Sequence, residues 1–376
     1  MRLVPALLCT FLGLSWQLLT VHYNYRGNVT ALFCAGVNLS IPPALEGEHI
    51  YRFANSSGYD GQTYHYVAHD PLARLGIGRV LPDASFRYRR ILLPAMAYLL
   101  ALGRQHWVDR SYLACNLLFL FLGSWWLAEL LSRIGIHPGF AVLYLIVPAT
   151  VISLDRLTVD LALASLALGF AVYATRGSRW RLLAVVALAP LCRETGVVLV
   201  VAAAMPHLRA RRYREATFWA SALLPAIAWY GFVRWSFGPF FTSDTVPLLS
   251  ALGGVLHPFP YRFPALVRAV LYVFDALLLA GEWVAIVVGL RKLREVAADP
   301  VRAAVVLWAI GAIPISVWTE FYSSSRVLTP LLLFEFLRSF PERRSIDRLP
   351  LLMVSPRIWI QLLPQIGGVL RGIFAG

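Results

Sequence analysis

A few ionisable side chains interrupt long apolar stretches in this chain, and they are the residues best suited to chemistry. Residues 58–71 read Gly58-Tyr59-Asp60-Gly61-Gln62-Thr63-Tyr64-His65-Tyr66-Val67-Ala68-His69-Asp70-Pro71. Gly58 and Gly61 permit a tight turn from which the Asp60 carboxylate projects. Tyr59, Tyr64 and Tyr66 offer amphipathic rings of the kind that stack on sugars or lie at a membrane interface; Tyr59, Tyr64 and His65 suit the wall of a polar cavity. Further on, Phe86-Arg87-Tyr88-Arg89-Arg90 leads into Ile91-Leu92-Leu93-Pro94. Arg87, Arg89 and Arg90 together could hold a lipid phosphate, although arginines at a helix start also meet lipid headgroups.

Asp155 and Asp160 flank a short turn further along. Carboxylates converging there with Asp60 suit general-base work, or a divalent cation such as Mg or Mn; an acid at a first turn is also a common helix cap. Arg193-Glu194 stands inside the otherwise apolar stretch 182–206. Ionisable groups at membrane depth are costly, usually paired and usually functional. This pair either neutralises itself and lets a helix break, or forms one wall of a polar cavity. Glu320-Phe321-Tyr322-Ser323-Ser324-Ser325-Arg326 ends in the only base of its short loop. Arg326 there either binds a phosphate or pairs with Glu320. Asp275 and Glu282, seven residues apart, share a helix face that cannot point at lipid. The eight histidines fall in loops or at span ends, which leaves no candidate for a buried catalytic histidine. The four cysteines show neither metal nor disulfide spacing. Asn28, Asn38 and Asn55 open N-x-[ST] sequons.

These groups must be positioned by membrane helices. The chain has 376 residues, 59% hydrophobic and only 14% charged, with a mean hydropathy of +0.65. Soluble domains carry roughly 25% charged residues, so a water-soluble fold is excluded. Apolar runs occupy 3–21, 111–131, 139–154, 160–175, 217–235, 265–290, 301–319 and 327–341. The first exceeds a signal-peptide core and lacks a cleavage site, so it reads as a retained anchor. Seventeen Arg and Lys residues lie on one set of short connections, and three on the alternate set. That asymmetry, rather than nucleic-acid binding, accounts for the net charge of +14 and fixes an orientation by the positive-inside rule.

Residues 91–103 are too few to cross a ~30 Å core and read as an interfacial helix within a long external loop, 22–110. The stretch 182–206 has basic flanks on both sides, so two short helices should meet near Cys192–Gly196. The expected fold is all-α and polytopic, with about ten transmembrane helices and a large first extracytoplasmic loop containing interfacial helices. Residues 1–341 form one membrane domain, and 342–376 a cytoplasmic or interfacial tail broken by prolines.

The order of these pieces resembles the GT-C superfamily of membrane glycosyltransferases, which use polyprenyl-phosphate-linked sugars. It is most similar to the bacterial membrane proteins of cell-surface glycopolymer formation. The likeness rests on Y-D-G-Q-x-Y at Tyr59–Tyr64 with His69-Asp70-Pro71, on R-Y-R-R-I-L-x-P at Arg87–Pro94, and on Leu154–Asp160 opening a span. R-E-T-G at Arg193–Gly196 and Ser325-Arg326 before Pro330 complete it. The resemblance implies a catalytic acid at Asp60, a second acid at Asp155 or Asp160, and a donor-phosphate group at Arg326 or Arg89, supported by Arg87 and Arg90. It implies a polyprenyl-phosphate sugar donor and a glycan or lipid acceptor on the extracytoplasmic face of a bacterial inner membrane, with inversion at the anomeric carbon. A metal-dependent variant would want paired acids, and Gly61 follows Asp60. The alternative is a transporter or lipid flippase, which would be expected to show repeated halves; none is visible.

Overall fold

The computed structural model describes residues 2–239, 260–313 and 321–375. Apart from one parallel pair of two-residue strands, Ala35–Gly36 with Arg52–Phe53, the regular structure of the described residues is helical. Among the described residues four helices are long and apolar enough to cross a membrane: Leu3–Tyr25, Gln105–Arg133, Tyr213–Phe237 (which includes a 3-10 turn) and Ala265–Arg291. A fifth span arises if the pair Pro138–Ile146 and Pro148–Arg156, bent by 56°, counts as one. The bend falls where the sequence shows a single run, 139–154. Pro148 opens the second segment and lacks the N–H that would continue the first.

The bundle is organised around α5 (Gln105–Arg133) and α7 (Asp160–Arg176). At 1.5 Å per residue, α5 is about 43 Å long. Every residue of α7 from Asp160 to Val172 is buried. That explains a run made mostly of Leu and Ala, with Ser165 the one polar residue after Asp160. The two helices approach closely where Gly123 of α5 meets Ser165 and Tyr144; a methyl group at Gly123 would stand 2.4 Å from the Ser165 hydroxyl. Tyr144 and Ser165 hydroxyls share a 2.9 Å hydrogen bond at this crossing.

Ion pairs fix the relative directions of the helices. Arg2, at the start of α1 (Leu3–Tyr25), Arg133, at the end of α5, and Arg176, at the end of α7, all meet Glu129. Hence α5 and α7 run parallel and α1 opposes them. Helix α14 (Phe321–Ser339) carries Arg326 beside Asp160, at the start of α7, and Arg338 near its own other end; it too runs parallel to α7. The basic residues of the arginine-rich connections at Arg2, Arg133, Arg176, Lys292, Arg302 and Arg338 thus gather at one end of the bundle, around Glu129, Glu342 and Asp347.

Residues 26–104 contain three helices, α2 (Asp60–His69), α3 (Ala84–Arg87) and α4 (Leu92–Leu100). At nine residues, α4 is far too short to cross a bilayer; Leu99 and Leu100 at its end are exposed. The break expected in 182–206 occurs where α8 (Arg179–Cys192) ends, a 3-10 turn spans Glu194–Gly196, and α9 (Val197–Arg209) begins.

Asp275 and Glu282 of α12 (Ala265–Arg291) are both buried, and Asp275 accepts from Arg357 and from the Tyr261 hydroxyl at 2.8 Å. The C-terminal segment is part of the bundle. Helix α15 (Leu349–Ile360) packs its Pro350, Leu351, Val354 and Ile358 inward, and Trp359 donates to the Ile146 carbonyl at 2.7 Å. Asn24 of α1 donates to the Gln365 carbonyl (3.1 Å). Glu320 and His257 lie outside the described residues.

Candidate functional site

Asp60 opens α2, so its carboxylate stands at a helix N-terminus, where unpaired N–H groups favour an anion. The local sequence builds this position residue by residue. Gly61 is required because the carbonyl oxygens of Arg156 and Phe33 would lie 2.1 and 2.8 Å from a Cβ there. Gln62 ties the turn down: its amide donates to the Ser57 carbonyl (2.7 Å) and accepts from Gly36 N (3.1 Å). Thr63 Oγ1 donates to the Asp60 carbonyl (2.7 Å). The Tyr59 ring is held between two guanidiniums, those of Arg156 and Arg326, 4.7 and 4.9 Å from its centroid. Burial pushes its hydroxyl up to about 12 although Arg326 stands close by, so it is a neutral phenol.

The Asp60 carboxylate accepts from Arg87 Nη1 at 2.6 Å through one oxygen and from Arg326 Nη2 through the other. Burial alone would raise its pKa, but Arg326, Arg87 and Arg90 together outweigh burial and hold it well below the ordinary carboxylate range. Arg326 is shared, because its Nη1 lies 3.3 Å from Asp160 Oδ2. Arg193 pairs with the other oxygen of Asp160. Arg90 makes a bidentate pair with Glu194 (3.0 and 2.5 Å) and donates to the Tyr64 hydroxyl (2.7 Å). Among the described residues of this network four guanidiniums face three carboxylates, which leaves one positive charge over.

Arg193 and Glu194 do not pair with each other, as the self-neutralising reading supposed. Arg193 has extended backbone (φ −157°, ψ 145°), so neighbouring side chains there diverge: Arg193 goes to Asp160, Glu194 to Arg90. Of the two candidate second acids, Asp160 joins the network. Its role is not that of a cap, since Ser153 Oγ already accepts from Leu161 N (3.0 Å). Asp155 instead pairs with its neighbour Arg156 at 3.3 Å, outside the network. Arg89 lies over the Phe86 ring (5.0 Å), a face it shares with Arg87 and Arg90.

A pocket of about 330 Å³ opens on Asp60, Arg87 and Arg326, with Tyr59, Ser323 and Asn38 in its wall. Of the expected wall residues, Tyr59 lines it; Arg193, Glu194 and Tyr64 belong to the ion-pair network around it. His65 does not belong to this wall. Five residues beyond Asp60 on α2, it turns toward α5, stacks on Phe33 (4.2 Å) and lies 2.7 Å from Asp109. His65 and His69 are buried on α2, so the histidines are not confined to loops and span ends as expected, and two of them are candidates for buried chemistry. The H-x-x-x-H spacing, which puts both on one face of a helix, was the signal for it. A larger cleft of about 450 Å³ is lined by Leu127, Phe140, Leu333, Phe336 and Trp359. It lies toward the other end of α5 and is almost wholly apolar, and the one hydroxyl in its described lining, Ser355, donates to the Leu351 carbonyl.

A divalent cation on Asp60 and Asp160 does not fit this arrangement. Both carboxylates already carry arginines, and a cation would stand among guanidiniums of its own sign. Comparison with known protein families, curated proteins and solved structures finds no match for this chain.

Proposed function

We propose that this chain is an integral-membrane glycosyltransferase that moves a sugar from a polyprenyl-phosphate donor to a glycan or lipid acceptor. The observation that carries this reading is a carboxylate, Asp60, at the rim of a polar pocket, bracketed by two arginines, Arg87 and Arg326, in a network with one surplus positive charge among the described residues. Such a site is built for an anion, and a donor whose phosphate is anchored by a lipid tail would have to approach it from the adjoining bilayer.

As it stands, Asp60 is a poor base, because two guanidiniums stabilise its ionised form. A donor phosphate entering between Arg87 and Arg326 would draw them away and raise the basicity of Asp60 only when substrate is present. The acceptor hydroxyl then attacks the anomeric carbon and its proton passes to Asp60. The bond from that carbon to the phosphate oxygen breaks, and the lipid phosphate leaves as an anion held by Arg87 and Arg326. Attack opposite the leaving group inverts the anomeric centre. Asp160 and Arg193 act as positioning residues, fixing Arg326 from behind.

The site belongs on the extracytoplasmic face of a ten-span protein. Its end of the bundle is opposite the end where the arginine-rich connections gather, and positive charge marks the cytoplasmic side. The test is transfer by the purified protein from defined polyprenyl-phosphate sugars. Asp60→Asn should retain the fold and lose roughly 10²–10⁴-fold in rate; full activity of folded Asp60→Asn ends the proposal. Movement of unaltered glycolipid between leaflets, without bond cleavage, would favour the flippase instead.

A further inference from the structure

On the face of α2 turned toward α5, His65, His69 and Asp109 bring three ligand atoms within 4.8 Å of one another. His65 Nε2 lies 2.7 Å from Asp109 Oδ1 and His69 Nε2 lies 3.2 Å from the same oxygen. The two imidazoles stand nearly perpendicular, at 81°, with centroids 4.9 Å apart. Both rings are fully buried, while Asp109 keeps an exposed edge.

Hydrogen bonding around His69 decides what its ring presents to Asp109. Gln105 Nε2 donates to the His69 carbonyl (3.1 Å), which turns the amide oxygen toward His69 Nδ1 at 2.6 Å. Nδ1 therefore carries the ring hydrogen, and Nε2 presents its lone pair. That lone pair faces a carboxylate oxygen, itself an acceptor. Two acceptors meeting at 3.2 Å call for a positive centre between them. On His65, likewise buried, Nδ1 has no hydrogen-bond partner among the described residues and Nε2 faces the same carboxylate oxygen.

We propose that His65, His69 and Asp109 bind a divalent transition-metal ion of the zinc class. Two imidazole nitrogens and one carboxylate suit zinc, whereas magnesium and calcium prefer oxygen ligands throughout. Gln105 is the group that orients His69 from behind, as metal-bound histidines commonly require. The ion clasps α2 to α5. A ten-residue helix is marginal alone, and Asp60 at its first position is carried on it, so the clasp positions the pocket without touching it. This inference stands independently of the transfer reaction.

The test is metal content of the intact, detergent-purified protein after equilibration with zinc and dialysis. The expected result is about one zinc per chain, with a chelator lowering the melting temperature. His69→Gln and Asp109→Asn should each lose the ion and the chelator effect. Cobalt(II) should give the visible absorption of a low-symmetry nitrogen–oxygen site in the unmutated protein, a readout that needs no variant to fold. Absence of bound zinc and of that absorption in the unmutated protein overturns the proposal. Full zinc occupancy in folded His69→Gln and Asp109→Asn overturns it as well.

Discussion

Arginine and carboxylate meet at both ends of this helical bundle, but in opposite ways. Around Glu129 the side chains of Arg2, Arg133 and Arg176 are 41%, 27% and 42% exposed. Around Asp60, Asp160 and Glu194 those of Arg326, Arg193 and Arg90 are 3%, 5% and 2% exposed, and that of Arg87, at the pocket's mouth, 20%. Exposed guanidiniums remain hydrated and lose little when unpaired. Buried ones have surrendered their water and depend on their partners. The Glu129 cluster therefore serves orientation and anchorage, where charge sign matters and geometry matters little. The Asp60 network spends stability to hold charge at a pocket, which a fold has no structural reason to do.

This contrast can be broken most sharply by activity. Asp60→Asn should abolish nearly all transfer, whereas Glu129→Gln should leave the rate unchanged; equal losses at both ends, measured on folded protein, would erase the distinction. Next in size comes stability. Arg326→Ala takes one of its two arginines from each of Asp60 and Asp160 and leaves a hole in a buried charge network; it should cost about 3 kcal/mol, read as a fall in the chemical or thermal denaturation midpoint. Arg176→Ala should cost no more than about 1 kcal/mol, because Arg2 and Arg133 still attend Glu129.

A smaller loss should follow Gly61→Ala, where the added methyl group meets backbone oxygens that cannot rotate away. Overpacking of this kind costs about 1–3 kcal/mol, and the melting temperature should fall with it. The pH dependence gives the finest test. Asp60 has its folded-state pKa depressed by Arg326 and Arg87 against the pull of burial. Its contribution to stability is complete above the unfolded value of about 3.9 and is lost as pH falls below that value toward the folded one. Thermal melts below about pH 4 should therefore decline less steeply in Asp60→Asn than in the unmutated protein.

Much of the candidate site was legible because its residues are chemically out of place. Asp60, Arg87, Arg90, Arg193, Glu194 and Arg326 interrupt or border apolar sequence, and the cost of burying a charge makes each stand out. The helix break at 193–196 was legible for the same reason. Their partners were not legible. Arg193 and Glu194 are adjacent in sequence yet bond to different elements, because an extended residue turns neighbouring side chains apart. Asp155 and Asp160 look equivalent as text; a helix start at 160 aims one toward Arg326 and leaves the other beside Arg156.

The sequence alone settled that helices dominate, that several are apolar enough to cross a membrane, and where the costly charges lie, since hydropathy and charge are properties of single residues and short windows. The pairing Asp60–Arg326, across 266 positions, and the meeting of His65 and His69 with Asp109 were decided by how helices pack. Ion pairs and metal ligands act over a few ångströms of space, and chain distance carries almost no information about that.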